Sequence, residues 1–310
     1  MQFIGKQAVL FPGQGSQEKG MGRALAESGK EFMDVWKIAE RISGHALREI
    51  FWDGEEKDMA DTRILQPGLT AVNLTFWLKA RPKLDPLCVA GHSLGEFSAL
   101  FAAQALSLED TLELVSIRGR LMSEAGDGKG AMAAILKLDE QAVETVVAQA
   151  AQQTGKELRI ANYNTPQQFV ISGHKDAVAV ANELVKEAKG RAVPLAVSGA
   201  FHSPLMAPAA AELAKALRKA DIRSPKTPVI FNVTAGDETD PEAVRGLMGR
   251  QMTSSVLWIK TIRHQYDMGA RTFVELGPKG VLTRMLKPIL DGRDGFEGLS
   301  VANLEQVEAL

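Results

Sequence analysis

The pentapeptide Gly91-His92-Ser93-Leu94-Gly95 constrains this chain more than any other stretch. It follows an apolar run at 87–90 that reads as a short buried strand, and it precedes residues 96–103, which read as a helix. A serine between two glycines at a strand-to-helix turn is the G-x-S-x-G nucleophile elbow. The turn is too sharp for bulky neighbours. It lifts the hydroxyl clear of the backbone and aims a helix N-terminus at it, where backbone N–H groups can hold an oxyanion. The chemistry it announces is acyl transfer through a serine ester, and the acceptor is left open.

Strand and helix signals alternate on either side of the elbow. Residues 7–11 read as a first strand ended by Pro12-Gly13, and 31–42 carry Phe32, Val35, Trp36 and Ala39 at helical spacing. A buried helix is expected over 67–80, opened by Pro67. Ser107-Leu108-Glu109-Asp110 has the form of a capping box and predicts a helix through Arg118 and Leu121. Glycines at 126, 128 and 130 then punctuate the chain, and the pattern changes. Strands at 132–136, 158–163, 168–172 and 192–196, with helices at 139–151 and 175–188, give the order βαββαβ of a ferredoxin-like unit. A helix at 203–219, a strand at 228–232, a helix at 256–268 and a strand at 271–276 follow. The expected fold is α/β, a hydrolase-like core with a parallel sheet flanked by helices. Residues 1–128 and 199–310 form its large subdomain, and 129–198 an inserted ferredoxin-like subdomain. The mixed composition from Gly292 onward predicts a partly disordered tail.

Of the 310 residues, 45% are hydrophobic and 24% charged, an ordinary globular balance. A net charge of -2 supplies no global field for nucleic acid or a membrane surface. Cys88 is the single cysteine, so no intrachain disulfide and no multi-cysteine zinc site is available. The first residues run into a strand without a signal-like apolar segment, and the longest uncharged stretch, 192–211, is broken by three prolines and His202. No membrane association and a cytoplasmic setting are the expectations.

A serine nucleophile needs a base. His45 and His174 sit beside glycines in turns, His264 reads as solvent-facing in mid-helix, and His92 adjoins the nucleophile but points elsewhere. His202 differs. It lies where the predicted insert returns to the main sheet, in a loop at an interdomain cleft. A second glycine-rich loop, Phe11-Pro12-Gly13-Gln14-Gly15-Ser16-Gln17, follows a strand and can present N–H groups to developing negative charge. It lacks the full G-x-G-x-x-G of a dinucleotide site. Arg118 reads either as part of a solvated helix face or as a bidentate clamp for a carboxylate.

Together these segments resemble the malonyl-CoA:acyl carrier protein transacylase family. The resemblance rests on the glycine-rich loop at 11–17, the elbow with Glu96, Ile117-Arg118-Gly119-Arg120, Asn162-Tyr163-Asn164-Thr165-Pro166, Gly199-Ala200-Phe201-His202-Ser203 and Glu275-Leu276-Gly277-Pro278, all in family order. It implies Ser93 as nucleophile, His202 as general base, the N–H groups of Gln14 and Leu94 as oxyanion donors and Arg118 as the malonyl clamp. Phe201, His92, Met122, Gln168 and Asn162 are implied as further substrate-binding residues. The base would be oriented by a backbone carbonyl, with Ser254 where the family usually has asparagine. Phe201 matches the malonyl-selective form of its motif. The resemblance also implies a monomer acting on malonyl-CoA and acyl carrier protein in fatty acid or polyketide synthesis. No metal or redox cofactor is implied, since coenzyme A belongs to the substrate. The alternatives are a serine hydrolase or thioesterase, which would need a late histidine for which only His264 qualifies, an acyltransferase for another acyl-CoA, and a non-enzymatic scaffold.

Overall fold

The computed structural model describes residues 3–55, 57–126, 128–197 and 199–310. The first two residues and residue 198, at the ends of the expected subdomains, lie outside them. Eight strands are described: β1 (Lys6–Phe11), β2 (Pro86–Gly91), β3 (Gly130–Leu136), β4 (Leu158–Thr165), β5 (Gln168–His174), β6 (Arg191–Pro194), β7 (Ala270–Leu276) and β8 (Glu297–Val301).

β2, β1, β7 and β8 lie side by side in that order, each pair parallel. β1 and the centre of β2 are apolar on successive residues because helices cover both faces of the sheet, leaving no solvated side to alternate with. The register sets Phe11 opposite Gly91, so the loops after β1 and β2 leave the same edge together. The glycine-rich loop and the elbow are neighbours for that reason.

Helix Thr62–Ala80 lies almost wholly inside the large unit. Its start departs from expectation. Asp61 caps it, accepting from the Arg63 N–H, and Pro67 falls inside rather than at the first turn. Proline there removes one backbone hydrogen bond. Packing on both sides outweighs that loss, since a Cβ on the adjoining Gly68 would meet the Phe51 ring at 2.1 Å. Helix Leu108–Glu124 begins at Ser107 as the capping box requires, and the Ser107 hydroxyl accepts from the Asp110 N–H. It packs on the first helix at Gly119, where a Cβ would sit 2.7 Å from the Thr62 carbonyl. That contact carries Arg118 alongside Gln66.

The second sheet is antiparallel throughout, in the order β4-β5-β3-β6. Counted within the insert, that is second, third, first, fourth, the ferredoxin-like arrangement. Helices Glu140–Thr154 and Lys175–Glu187 cover one face through Val143, Val146 and Ala150 and through Ala177, Val178, Ala181 and Val185. β4 also joins the large unit: Tyr163 N–H donates to the Val256 carbonyl and Val256 N–H to the Ala161 carbonyl.

Three further expectations change. The segment at 228–232 adds only single bridges to β2 and to Asp237, not a full strand. The helix expected from 203 begins as a short 3-10 turn, Pro204–Met206, before Ala207–Leu217. The tail is ordered: β8 extends the parallel sheet and helix Leu304–Ala309 follows, capped by Asn303. Leu299, Val301, Leu304 and Val307 anchor it, although many charges surround them.

The elbow is a set of close backbone approaches. A Cβ on Gly91 would lie 1.9 Å from the Gly95 carbonyl carbon, one on Gly95 2.1 Å from the Phe11 carbonyl, and one on Gly13 2.3 Å from the His92 carbonyl. Gly95 is helical, so alanine there would ordinarily stabilise by about 1 kcal/mol. Gly95→Ala is instead expected to destabilise by at least about 2 kcal/mol. Urea unfolding checks this, and wild-type stability would contradict the packing described.

Candidate active site

Ser93 stands at the turn with φ 52°, in the left-handed region. Its Oγ lies 2.7 Å from His202 Nε2. His202 also has a left-handed backbone, φ 57°, and its ring is buried. His202 Nδ1 is 3.0 Å from the Gln251 carbonyl and 3.1 Å from the Ser254 carbonyl. Carbonyls only accept, so Nδ1 carries the proton and the Nε2 lone pair faces the serine hydroxyl. Among the described residues no carboxylate orients this base. Ser254 contributes through its backbone carbonyl, as expected; the second carbonyl, from Gln251, had no signal in the sequence. Burial, and then the nearby Arg118 charge, push the His202 pKa down to about 3. The imidazole is therefore neutral and ready to accept a proton.

Arg118 reaches the same point from its helix. Nη2 donates to Ser93 Oγ at 3.1 Å, Nη1 to Gln66 Oε1 at 2.8 Å and Nε to Gln251 Oε1 at 3.2 Å. The guanidinium is 1% exposed, and burial pushes its pKa down to about 10 while Glu96 opposes the fall. It remains charged at neutral pH. Its direct partners are amides and a hydroxyl, and among the described residues it forms no ion pair at contact distance. A buried cation held by neutral groups at the rim of a cavity is matched to an anionic ligand.

Glu96 lies behind the elbow. It accepts from the Asn232 N–H at 2.6 Å and from Gln251 Nε2 at 2.5 Å, and burial raises its pKa to about 7. His92 turns away from the nucleophile. Its Nε2 is 2.8 Å from Asn164 Oδ1, and its ring meets Trp258 edge-on. Burial lowers its pKa, with Asn164 opposing.

A cavity of about 250 Å³ opens over these groups. Ser93, His202, Gln14, Leu94, Arg118, Phe201, His92, Met122, Gln168 and Asn162 all line it. The N–H groups of Gln14 and Leu94 have no protein partner among the described residues, whereas the Ser93 N–H is taken by Asn232 Oδ1 at 2.7 Å. Two free donors on residues that line the cavity with Ser93 suit a developing oxyanion. His45, His174 and His264 line no part of this cavity. His264 is half-buried rather than solvent-facing, with its Nε2 enclosed and unpartnered. Burial pushes the Cys88 thiol up to about 12, which leaves it unreactive. Gln66, Gln251 and Asn232 went unread in the sequence because single amides carry no motif of their own, and Asn164 was read only as part of its motif, without a role.

Residues 9–305 match the acyl transferase domain family. A malonyl CoA-acyl carrier protein transacylase of Haemophilus influenzae is 38% identical over 98% of this chain and 98% of its own length. The chain belongs to the malonyl-CoA:acyl carrier protein transacylase family. The crystal structure of an acyl carrier protein S-malonyltransferase from Vibrio cholerae matches with a TM-score of 0.92 at 39% identity, covering 98% of this chain and 99% of that one. A polyketide biosynthesis protein of Burkholderia thailandensis, ThaF, is 42% identical over 95% of this chain, which spans only 25% of that protein's length. Within this transacylase family the α/β core with its separate antiparallel unit is the shared fold. Among the described residues no helix is long and apolar enough to cross a membrane.

The depressed His202 pKa has a sign that can be tested. A base whose pKa is lowered stays in its working, neutral form as pH falls through 6.5, the ordinary histidine value. The kcat/KM for acylation is therefore expected to hold across that range and to decline only well below it. The profile is to be measured in wild type and in Glu96→Gln, because the Glu96 carboxyl titrates near 7 beside the site. Half-loss near 6.5 in both proteins would contradict a buried neutral base.

Proposed function

We propose that this chain transfers a malonyl group from malonyl-CoA to the pantetheine thiol of an acyl carrier protein, through a malonyl ester on Ser93. The observation that carries the proposal is Arg118, a buried cation without a carboxylate in direct contact among the described residues, 3.1 Å from the nucleophilic oxygen. An uncharged acyl group would leave that cation unanswered. A free carboxylate one methylene from the thioester carbonyl answers it in bidentate form.

The chemistry is ping-pong. His202 Nε2 takes the Ser93 proton as Oγ attacks the thioester carbonyl. Gln14 and Leu94 N–H groups hold the tetrahedral oxyanion. The intermediate collapses with loss of coenzyme A thiolate, which takes the proton from His202, and the malonyl ester remains. In the second half His202 deprotonates the pantetheine thiol, sulfur attacks the ester, and Ser93 Oγ leaves and recovers its proton. Arg118 exchanges its contact with Ser93 Oγ for the malonyl carboxylate and keeps it through both halves. Gln66 and Gln251 hold the guanidinium in place during the exchange. These steps need acid–base and nucleophilic side chains and no resident cofactor.

Residues 1–128 and 199–310 supply nucleophile, base, oxyanion donors and clamp in this reading. Residues 129–198 supply the opposing wall, including Asn162 and Gln168. Phe201 and Met122 narrow the acyl end, which favours malonyl over α-branched analogues by about 1–3 kcal/mol. His92 is a wall residue held by Asn164. In this reading the chain is a cytoplasmic monomer that loads a carrier protein for fatty acid or polyketide synthesis; the relative named for polyketide biosynthesis supports the latter setting.

Arg118→Ala is the test. Malonyl transfer to holo acyl carrier protein is expected to fall by at least about 100-fold, as suits loss of a buried charge pairing. Acetyl transfer should fall far less. Equal losses with both acyl groups would overturn the assignment of the clamp. Retention of malonyl transfer in Ser93→Ala would overturn the covalent route.

A further inference from the structure

Ser93 holds a backbone conformation that serine disfavours; the Gly95 and Glu96 N–H groups bond the His92 and Ser93 carbonyls, and side chains make the remaining bonds to the peptides around it. Asn232 Oδ1 accepts from the Ser93 N–H at 2.7 Å, while Asn232 Nδ2 donates to the Gly91 carbonyl at 2.7 Å. Gln251 Nε2 donates to the Ser93 carbonyl at 2.9 Å. One carboxylate joins the two amide residues: Glu96 accepts from the Asn232 N–H and from Gln251 Nε2. Asn232 itself is fixed from both directions. Its carbonyl accepts from the Leu257 N–H, and the segment leading to it bonds β2 through Val89. Asn232, Gln251 and Glu96 are each 1% exposed, so water does not stand in for any of these bonds.

We propose that Asn232, fixed by Glu96, is a positioning residue for the nucleophile that clamps the elbow in its left-handed form. The proposal rests on Ser93 being the acylated residue. A left-handed serine lies about 1–2 kcal/mol above its relaxed conformations. Relaxation would swing Oγ away from His202 Nε2 and turn the peptide plane that precedes Leu94. The clamp opposes this by bonding the carbonyl two residues before Ser93 and the Ser93 N–H to a single rigid amide. It has a second effect. By occupying the Ser93 N–H it leaves the Leu94 N–H as the elbow's donor toward the cavity. Asn232 lines no part of that cavity and touches no reacting atom, so its influence passes through the Ser93 backbone.

The experiment follows Ser93 with two reagents. One is malonyl-CoA in single-turnover mixing, and the other is a fluorophosphonate, which labels an activated serine whatever its natural acyl group. Mass mapping locates both adducts. Asn232→Ala removes both bonds. Asn232→Asp keeps the volume and the acceptor for the Ser93 N–H, but sets an oxygen against the Gly91 carbonyl. Glu96→Gln loosens the clamp from its other end. All three are expected to slow both reactions by about 10- to 100-fold, the scale of a misplacement near 1 Å. KM for malonyl-CoA should stay within about two-fold and the final labelled fraction should match wild type.

Wild-type rates in the folded Asp and Gln variants would overturn the proposal. So would a reduced labelled fraction with an unchanged rate per active molecule, because that is the mark of misfolding alone. Fluorophosphonate labelling of wild-type Ser93 without a malonyl adduct would defeat the malonyl reading and still test the clamp.

Discussion

Backbone crowding at one edge of the parallel sheet is the constraint on which the site depends. The loop after β1, the end of β2 and the elbow helix approach so closely that Gly13, Gly91 and Gly95 have no space for a Cβ. That contact brings Gln14, Leu94 and Ser93 to the lining of one cavity. Ser93 sits at this turn in the left-handed region, bonded there by Asn232. The helix that follows contributes its N-terminal dipole at the same point. Main-chain approach thus brings the two loops together, and buried side-chain amides hold the serine at the turn.

The electrostatics is arranged around charges that are buried but not directly paired. Glu96 and Arg118 lie on opposite sides of Gln251, whose amide donates to one and accepts from the other. When ionised, the acid offsets the guanidinium charge without occupying its bonding face toward the cavity. His202 is oriented by two carbonyls, which favour the required tautomer but add no full negative charge beside the base. A carboxylate there would raise the histidine pKa, whereas burial and Arg118 lower it. An incoming carboxylate on Arg118 would relieve that effect, so the base gains proton affinity when the matching substrate arrives.

The parts of this arrangement legible in the sequence were those with a period or a punctuation mark. The elbow announces itself by its glycines, and the antiparallel unit by amphipathic helices between short apolar strands. Pro67 misled because proline commonly opens helices, and here the burial of the whole helix outweighed the lost hydrogen bond. The tail misled because Leu299, Val301, Leu304 and Val307 are spaced among charges, and their strand is fixed only by pairing with β7. Gln66, Asn232 and Gln251 were invisible because each acts on Arg118 or Ser93 across at least 52 positions of chain, and an amide has no pattern to betray it. Glu96 did leave a signal. It is the one ionisable residue in the buried helix Gly95–Ala102, a place where a charge has to find buried partners.

The central claim is that the elbow carries an ester destined for a thiol, with Arg118 holding the far carboxylate. Partition of the isolated malonyl-enzyme tests it most directly. The protein is mixed with malonyl-CoA, freed of excess reagent, and divided between buffer alone and buffer with holo acyl carrier protein, with the adduct followed by mass on the Ser93 peptide. The account predicts an ester on Ser93 that persists in buffer and moves to the carrier thiol within the mixing time. Discharge to water as fast as to the thiol, or no adduct on Ser93, would contradict it.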